Sequence, residues 1–389
     1  WGGAIKPDFL RRLSPFQLVN HFPGSWQLGR KDSMWRHVRK LQRTHPDRVR
    51  IAPSSFVLPD DWSAWEAARK SNAATLWIYK PANSSCGRGI RVLRSKLEAA
   101  EEKALEKKAG VVQRYIDRPL LINGYKFDMR LYVVVTSYDP LRVYLNGEGL
   151  VRLATEKYDP SPAKLKQRTM HLTNYSINKH ADSYVKNLDG PSSMDPATST
   201  AGDDCDDEDA EESDDGGDGI EDGMAGAAVD TDFQQDGSSD GSEAEEEDGC
   251  DPSSPQSSGA AASMAGDEMT SSKWSMRQLH EYFLAQGLDY ERMMKRVKDL
   301  IVKTLIAVEP PIVSAWQIGA NFVSAAAAQH IRGLGANQNC FEIYGFDVLV
   351  DQALQAWLLE VNVAPSLSSS SPFDKRVKTQ LVADTLTMA

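Results

Sequence analysis

The 389-residue chain has no run of about 18 apolar residues, which excludes a transmembrane helix. No charged-then-apolar leader is visible, so no secretion signal is expected. Cysteine is scarce: Cys86, Cys205, Cys250 and Cys340 lie far apart and none forms a CxxC pair. That spacing argues against a zinc module and a disulfide scaffold and fits a reducing compartment. The P-loop and dinucleotide glycine patterns are missing, as are the HRD and DFG motifs of protein kinases. The sharpest absence is local. Residues 187–272 contain 27 Asp and Glu but no Lys or Arg. All 44 Lys and Arg therefore fall in the remaining 303 residues, against 28 Asp and Glu, a net charge of +16. A basic body of this kind predicts a polyanionic partner or phosphate ligand.

With 41% hydrophobic and 25% charged residues, the composition is globular. Residues 187–272 are rich in Asp, Glu, Ser, Gly and Ala. They offer too little apolar surface to offset ordering entropy and are expected to be a disordered acidic insertion. Elsewhere strands and helices alternate. Strands are predicted at 76–80, 90–93, 111–116, 126–136, 141–146, 343–351 and 355–362. A helix is predicted over 95–108, and two more over 274–309, separated near Gly287. The mixture predicts an α+β fold with antiparallel sheets.

Four stretches carry chemistry. In Lys126-Phe127-Asp128-Met129-Arg130, strand alternation puts Lys126, Asp128 and Arg130 on one face. Two cations and a carboxylate there suit a phosphate or carboxylate clamp, and equally a solvated strand face. Glu360 and Asn362 likewise share a face, and Asp347 lies in a second apolar strand, where an unpaired carboxylate is costly. These oxygens suit Mg²⁺, although Asp347 capping a turn and Glu360 paired to a lysine remains open. Lys80 precedes a small polar loop, Pro81 to Ile90, whose backbone N–H groups could close over phosphates or simply form a hairpin turn. His171-Leu172-Thr173-Asn174-Tyr175 reads as a polar loop or helix start, with Thr173 or Asn174 as N-cap. Together they compose an ATP–Mg site outside the P-loop and kinase families.

These stretches, in this order, resemble the tubulin–tyrosine-ligase-like family of ATP-grasp ligases, in particular its polyglutamylating branch. Further matching stretches are Asn20 to Ser25 with Leu28 to Lys31, Gln113 to Ile116, Lys273-Trp274-Ser275, Tyr344 to Asp347, and Leu359 to Asn362 with Pro365-Ser366-Leu367. The resemblance covers nearly all of the chain outside 187–272. Departures are that insertion, Ala364 where a serine is usual, and an expanded stretch at 317–339.

The resemblance implies an ATP-grasp-like fold with mixed or antiparallel sheets and flanking helices. It implies an N-terminal lobe (1–75), a central lobe (76–186) and a C-terminal lobe carrying the metal site (273–389). It also implies roles. Lys31, Lys80 and Lys126 contact ATP phosphates. Cys86 and Gly87 lie in the covering loop. Gln113, Arg114, Tyr115 and Ile116 hold adenine. Phe127, Asp128, Thr173 and Asn174 complete the nucleotide site. Asp347, Glu360 and Asn362 hold Mg²⁺. Arg130, with Lys126, acts on the transferring phosphoryl group. Arg152, Tyr175, Ser176, Lys273 and Lys378 orient free L-glutamate. The implied activity is addition of glutamate to glutamate side chains of tubulin's acidic C-terminal tails through an acyl phosphate. The implied agent is a monomer in the cytoplasm, on the cytoskeleton and its microtubules, including a cilium, flagellum or basal body. No nucleic acid and no membrane is expected. Addition of glycine, a non-tubulin acceptor, or a catalytically dead microtubule-binding module are the alternatives.

Overall fold

A computed structural model describes residues 2–3, 5–13, 17–82, 84–187, 271–320 and 339–388. Most of the predicted acidic insertion, and most of 317–339, lies outside them. Three residues at the edges of that insertion are described and are packed: Asn187, Ser271 and Ser272 are buried. The Ser272 amide donates to the Val185 carbonyl at 2.8 Å, and the Asn187 side chain donates to the Lys273 carbonyl at 2.8 Å.

Strands β1 (Ser55–Leu58), β2 (Leu76–Pro81), β3 (Arg91–Arg94) and β4 (Gly110–Arg114) form an antiparallel sheet in the order β1-β4-β2-β3. Its apolar face packs Trp77, Tyr79 and Val112 on Trp65 and Leu105. Trp65 comes from one helix (Trp62–Ser71) and Leu105 from another (Ala99–Glu106). The second helix is shorter than the predicted 95–108. Ser95 is buried, and its hydroxyl is held by the carbonyls of Asn72 and Thr75 at 2.9 and 2.7 Å, which keeps that end of the segment out of the helix.

The second sheet contains β5 (Leu121–Ile122), β6 (Tyr125–Tyr138), β7 (Leu141–Lys157), β8 (Lys273–Trp274), β9 (Glu342–Val350) and β10 (Ala356–Asn362). Its order is β10-β9-β6-β7-β8, with β5 paired to β6, and every strand pair is antiparallel. The predicted strand at 141–146 runs on to residue 157 because Gly147 and Gly149 sit inside it. A side chain at Gly149 would stand 2.7 Å from the Arg130 carbonyl, so the glycine allows close backbone approach rather than ending the strand. β1 joins the sheet of β2–β4, and β8–β10 join that of β6 and β7, so both sheets cross the boundaries expected from the sequence.

Both faces of β6 are covered, as its continuous apolar run requires. Phe127, Met129, Leu131 and Val133 enter the main core with Phe346 and Val348. That core includes Met293, Val297, Ile301, Leu305, Val308 and Ile312 from the helix Tyr290–Ala320, a stripe at three- and four-residue spacing. The helix continues through Pro310 and Pro311, beyond the predicted end at 309, with Ile312 fully buried. On the other face, Tyr132 and Val134 meet Phe373, Val377 and Leu381 of the helix Pro372–Met388. The Asn20-His21-Phe22 stretch is tied to β9 through buried Glu342. This carboxylate accepts from the Phe22 amide and the Tyr344 hydroxyl, both at 2.9 Å, and lies 2.7 Å from His21 Nδ1. Among the described residues, no helix is long and apolar enough to cross a membrane.

Candidate active site

The cleft is built on the second sheet's register. Arg130 lies opposite Asp347 on β9, and Glu360 on β10 lies opposite Asp347 in turn. Directly opposed residues of antiparallel strands point to one face, so the three side chains form a row. A bulge makes this row possible. Pairing shifts between Leu358 and Glu360, which leaves Leu359 outside the ladder. The freed Leu359 carbonyl accepts from Lys80 Nζ at 3.1 Å, and β2 is thereby joined to β10.

Asp128, Arg130, Arg152 and Asp347 form a buried ion cluster. Arg152 Nε donates to Asp128 Oδ1 at 2.8 Å, and its terminal nitrogen lies 2.8 Å from Asp347 Oδ2. Arg130 grips Asp347 with two donors, one at 2.9 Å to Oδ2. Burial would raise the Asp347 pKa, but the two guanidiniums prevail and hold it well below the usual carboxylate range. Burial does prevail at Asp128, whose carboxyl is pushed up.

The lysines are held differently. Lys80 donates to Gln113 Oε1 and to the Leu359 carbonyl, both at 3.1 Å. Lys126 donates to the Tyr115 hydroxyl at 3.0 Å and the His171 carbonyl at 2.9 Å, with its ammonium 4.6 Å from the Tyr115 ring centre. Burial pushes Lys80 down to about 8, with Glu360 opposing, and Lys126 down to about 7, with Asp128 opposing. Lys31 donates to the Ser84 carbonyl at 2.8 Å and pairs with Glu360 at 3.1 Å. Glu360 is thus paired with a lysine while also facing Asp347. The wider cleft is lined by Ile78, Ile90, Gln113, Arg114, Tyr115, Ile116, Leu172, Thr173, Asn174 and Leu349, and its space, counted out to solvent, is about 630 Å³.

The Lys80 loop rests on the segment after β7. Arg168 donates to the Gly87 carbonyl at 2.7 Å and Ser176 to the Cys86 carbonyl at 3.0 Å. Gly87 has φ +70°, which favours glycine, and a side chain there would make the Ile177 side chain shift. Asn174 occupies the cap position of the short helix Tyr175–Asn178 without a side-chain cap bond.

Not every expected residue lines this cleft. Phe127 is fully buried in the main core, because strand alternation turns it away from Lys126 and Asp128. Ser176 bonds the Lys80 loop, and Arg152 lines the cleft but is committed to Asp128 and Asp347. Tyr175, Lys273 and Lys378 gather around Asp374: Lys273 Nζ lies 2.7 Å from Asp374, 2.9 Å from Ser370 Oγ and 4.2 Å from the Tyr175 ring centre. Lys378 donates to the Ser368 carbonyl, and its pKa is lowered by burial with Asp374 opposing.

Glu360 and Asn362 stand side by side on one face of β10, and Asn362 lines the adjoining pocket with Glu360, Lys31 and Ser84. The Asn362 amide nitrogen donates to the Gly345 carbonyl at 3.4 Å. Two carboxylates and an amide oxygen are hard donors and fit Mg²⁺ chemically. Among the described residues, no three His, Cys, Asp or Glu are placed as a metal cluster.

The profile of the tubulin-tyrosine ligase family matches residues 10–199 and 255–389. The chain belongs to that family. Human tubulin monoglutamylase TTLL4 is 32% identical over 392 positions, which cover all of this chain and 25% of that protein. Human tubulin polyglutamylase TTLL5 is 33% identical over 390 positions, all of this chain and 23% of that protein. Caenorhabditis elegans tubulin polyglutamylase ttll-4 is 31% identical over 390 positions, all of this chain and 48% of that protein. The chain spans about a quarter of the length of the two human relatives.

Sequence reasoning gave no role to His171 or Asp374. His171 is buried, its carbonyl holds Lys126, and its Nδ1 lies 2.9 Å from the Tyr115 hydroxyl. Asp374 sits in the first turn of a helix, where an acidic residue is ordinarily read as favourable to the helix dipole.

Proposed function

We propose that this chain is an ATP- and Mg²⁺-dependent ligase that joins free L-glutamate to glutamate side chains of acidic protein tails, with tubulin's C-terminal tails as acceptor. One observation carries the reading. Lys80 and Lys126, buried and bonded to neutral oxygens, face a cleft shared with Asp347 and Glu360. A triphosphate, an acceptor carboxylate and a dicarboxylic amino acid can meet only where cationic groups offset their charge. The acceptor and amino acid follow the names of the relatives, which are tubulin mono- and polyglutamylases.

Lys31, Lys80 and Lys126 would meet the phosphates, with Cys86 and Gly87 in the loop above them. Gln113 to Ile116 would hold adenine between Ile78, Ile90 and Leu172, with Asp128, Thr173 and Asn174 alongside. Asp347, Glu360 and Asn362 would hold Mg²⁺, which when bound neutralises phosphate charge. Arg130 would stabilise the phosphoryl group as it passes from ATP to the acceptor carboxylate, releasing ADP. Tyr175, Lys273 and Lys378 would fix the carboxylates of the incoming glutamate. Its α-amine then attacks the acyl carbon, phosphate departs, and the amine proton is lost. The chain would act as a monomer. A tubulin acceptor places the chain on the cytoskeleton, at microtubules and at those of a cilium, flagellum or basal body.

The test is intact-mass analysis of tubulin tails incubated with the chain, ATP, Mg²⁺ and either glutamate or glycine. Glutamate residues are added by the wild type, and neither glycine nor the Glu360→Gln variant gives a product. Glycine addition alone would point to the glycine-adding alternative. No product and no ATP turnover would point to a binding module.

A further inference from the structure

A second groove shares Arg114, Tyr115 and Ile116 with the nucleotide cleft and has no part in the ligase reading. Its space, counted out to solvent, is about 1190 Å³. Its other walls come from the segment before β1 and from the turn between β9 and β10. Three arginines line it: Arg50, Arg114 and Arg118. All three are exposed, and among the described residues none of their guanidiniums has a hydrogen bond or ion pair. Some exposed arginines elsewhere find partners, as in Arg36 with Asp60 and Arg277 with Glu281, and others, such as Arg142 and Arg292, stand alone rather than grouped in a groove among the described residues.

Among the described residues, the groove's carboxylates form no ion pair with these arginines. Asp351 is fully engaged: Oδ1 accepts the amides of Ala353 and Gln355 at 2.9 Å, and Oδ2 accepts Trp357 Nε1 at 2.8 Å. Asp117 also lines the groove, and among the described residues it has no ion pair with an arginine. A fourth cation, Arg296, borders the same turn and donates to the Ala353 carbonyl at 2.7 Å.

We propose that this groove docks an acidic peptide segment of the protein acceptor, with Arg50 and Arg118 as its carboxylate-binding forks. A free guanidinium presents a planar pair of donors that matches a carboxylate. An extended peptide directs alternate side chains to one side, so it can offer carboxylates to the arginines while turning others away from Asp117. A polynucleotide carries a charge at every unit and has no such choice. The identity of the partner rests on the ligase reading, in which an acceptor tail has acidic residues beyond the one that reacts.

The test is fluorescence anisotropy of a labelled Glu-rich peptide with the full chain at low and high salt. The variants are Arg50→Glu with Arg118→Glu, and a charge-matched control, Lys70→Glu with Arg277→Glu, on exposed helices elsewhere. Wild type and control bind alike and weaken with salt, and the groove variant binds about tenfold more weakly, a change of about 1.4 kcal/mol. In turnover, the groove variant raises KM for the acceptor protein and leaves KM for ATP unchanged. Equal peptide binding by the groove variant and wild type overturns the proposal. So does tighter binding of a labelled oligonucleotide that the same two substitutions abolish. Glutamate addition with no loss of peptide binding in the groove variant sinks the groove alone. Peptide binding lost in that variant, with no glutamate addition by wild type, sinks the ligase reading alone.

Discussion

Arg130 and Arg152 share the carboxylates of Asp128 and Asp347, whereas Lys80 and Lys126 on the same cleft are bonded to amide, hydroxyl and carbonyl oxygens. The difference separates two ways of keeping positive charge in a buried place. The arginines cannot lose their protons, so their charge is compensated by fixed carboxylates and serves also to hold three strands together. The lysines can lose theirs, and burial brings both near neutrality of solution. An arriving anion would restore their charge.

The largest effect should come from breaking the arginine cluster. Asp347→Ala leaves two buried guanidiniums short of a counter-ion and should destabilise the fold by about 3–5 kcal/mol in urea unfolding. Lys126→Met should cost the fold far less, because no buried charge is stranded. Equal losses would erase the distinction. In activity the order reverses in interest: Lys126→Met should lower kcat/KM by about 10²-fold or more with the fold intact, read by ATP turnover with acceptor and glutamate present.

The smallest effect is a proton count. At pH 8 Lys126, with its pKa near 7, is mostly neutral. Nearby phosphate raises that pKa, so ATP binding should draw protons from solution, and the uptake should shrink as pH falls below 7, where the lysine is already charged. Calorimetry in two buffers of different ionisation enthalpy measures it, and Lys126→Met should remove most of the uptake. Proton release on binding would contradict the sign.

Much of this site was legible because strand alternation is a strong signal. It puts Lys126, Asp128 and Arg130 on one face, and Glu360 beside Asn362, without any knowledge of the neighbours. The same rule, applied to Phe127, turns it into the core, and the family likeness alone had placed it at the nucleotide. Partnerships between distant strands were not legible. Arg130 meeting Asp347, and Arg152 meeting both aspartates, depend on register across β6, β7 and β9. The bulge at Leu359 has no sequence mark, yet it sets Glu360 opposite Asp347 and frees the carbonyl that holds Lys80. Two elements run past their expected ends: Gly147 and Gly149 lie inside a strand, and Pro310 and Pro311 inside a helix, because tertiary packing overrode local preference.

The account depends on the cleft between the sheets being where a triphosphate is met by lysine. The direct measurement is an ATP titration of wild type and of Lys80→Met with Lys126→Met, each first checked for folding by circular dichroism. The account predicts saturable binding by wild type and a loss of about tenfold or more in the folded double variant. Equal affinity in the two proteins would contradict it.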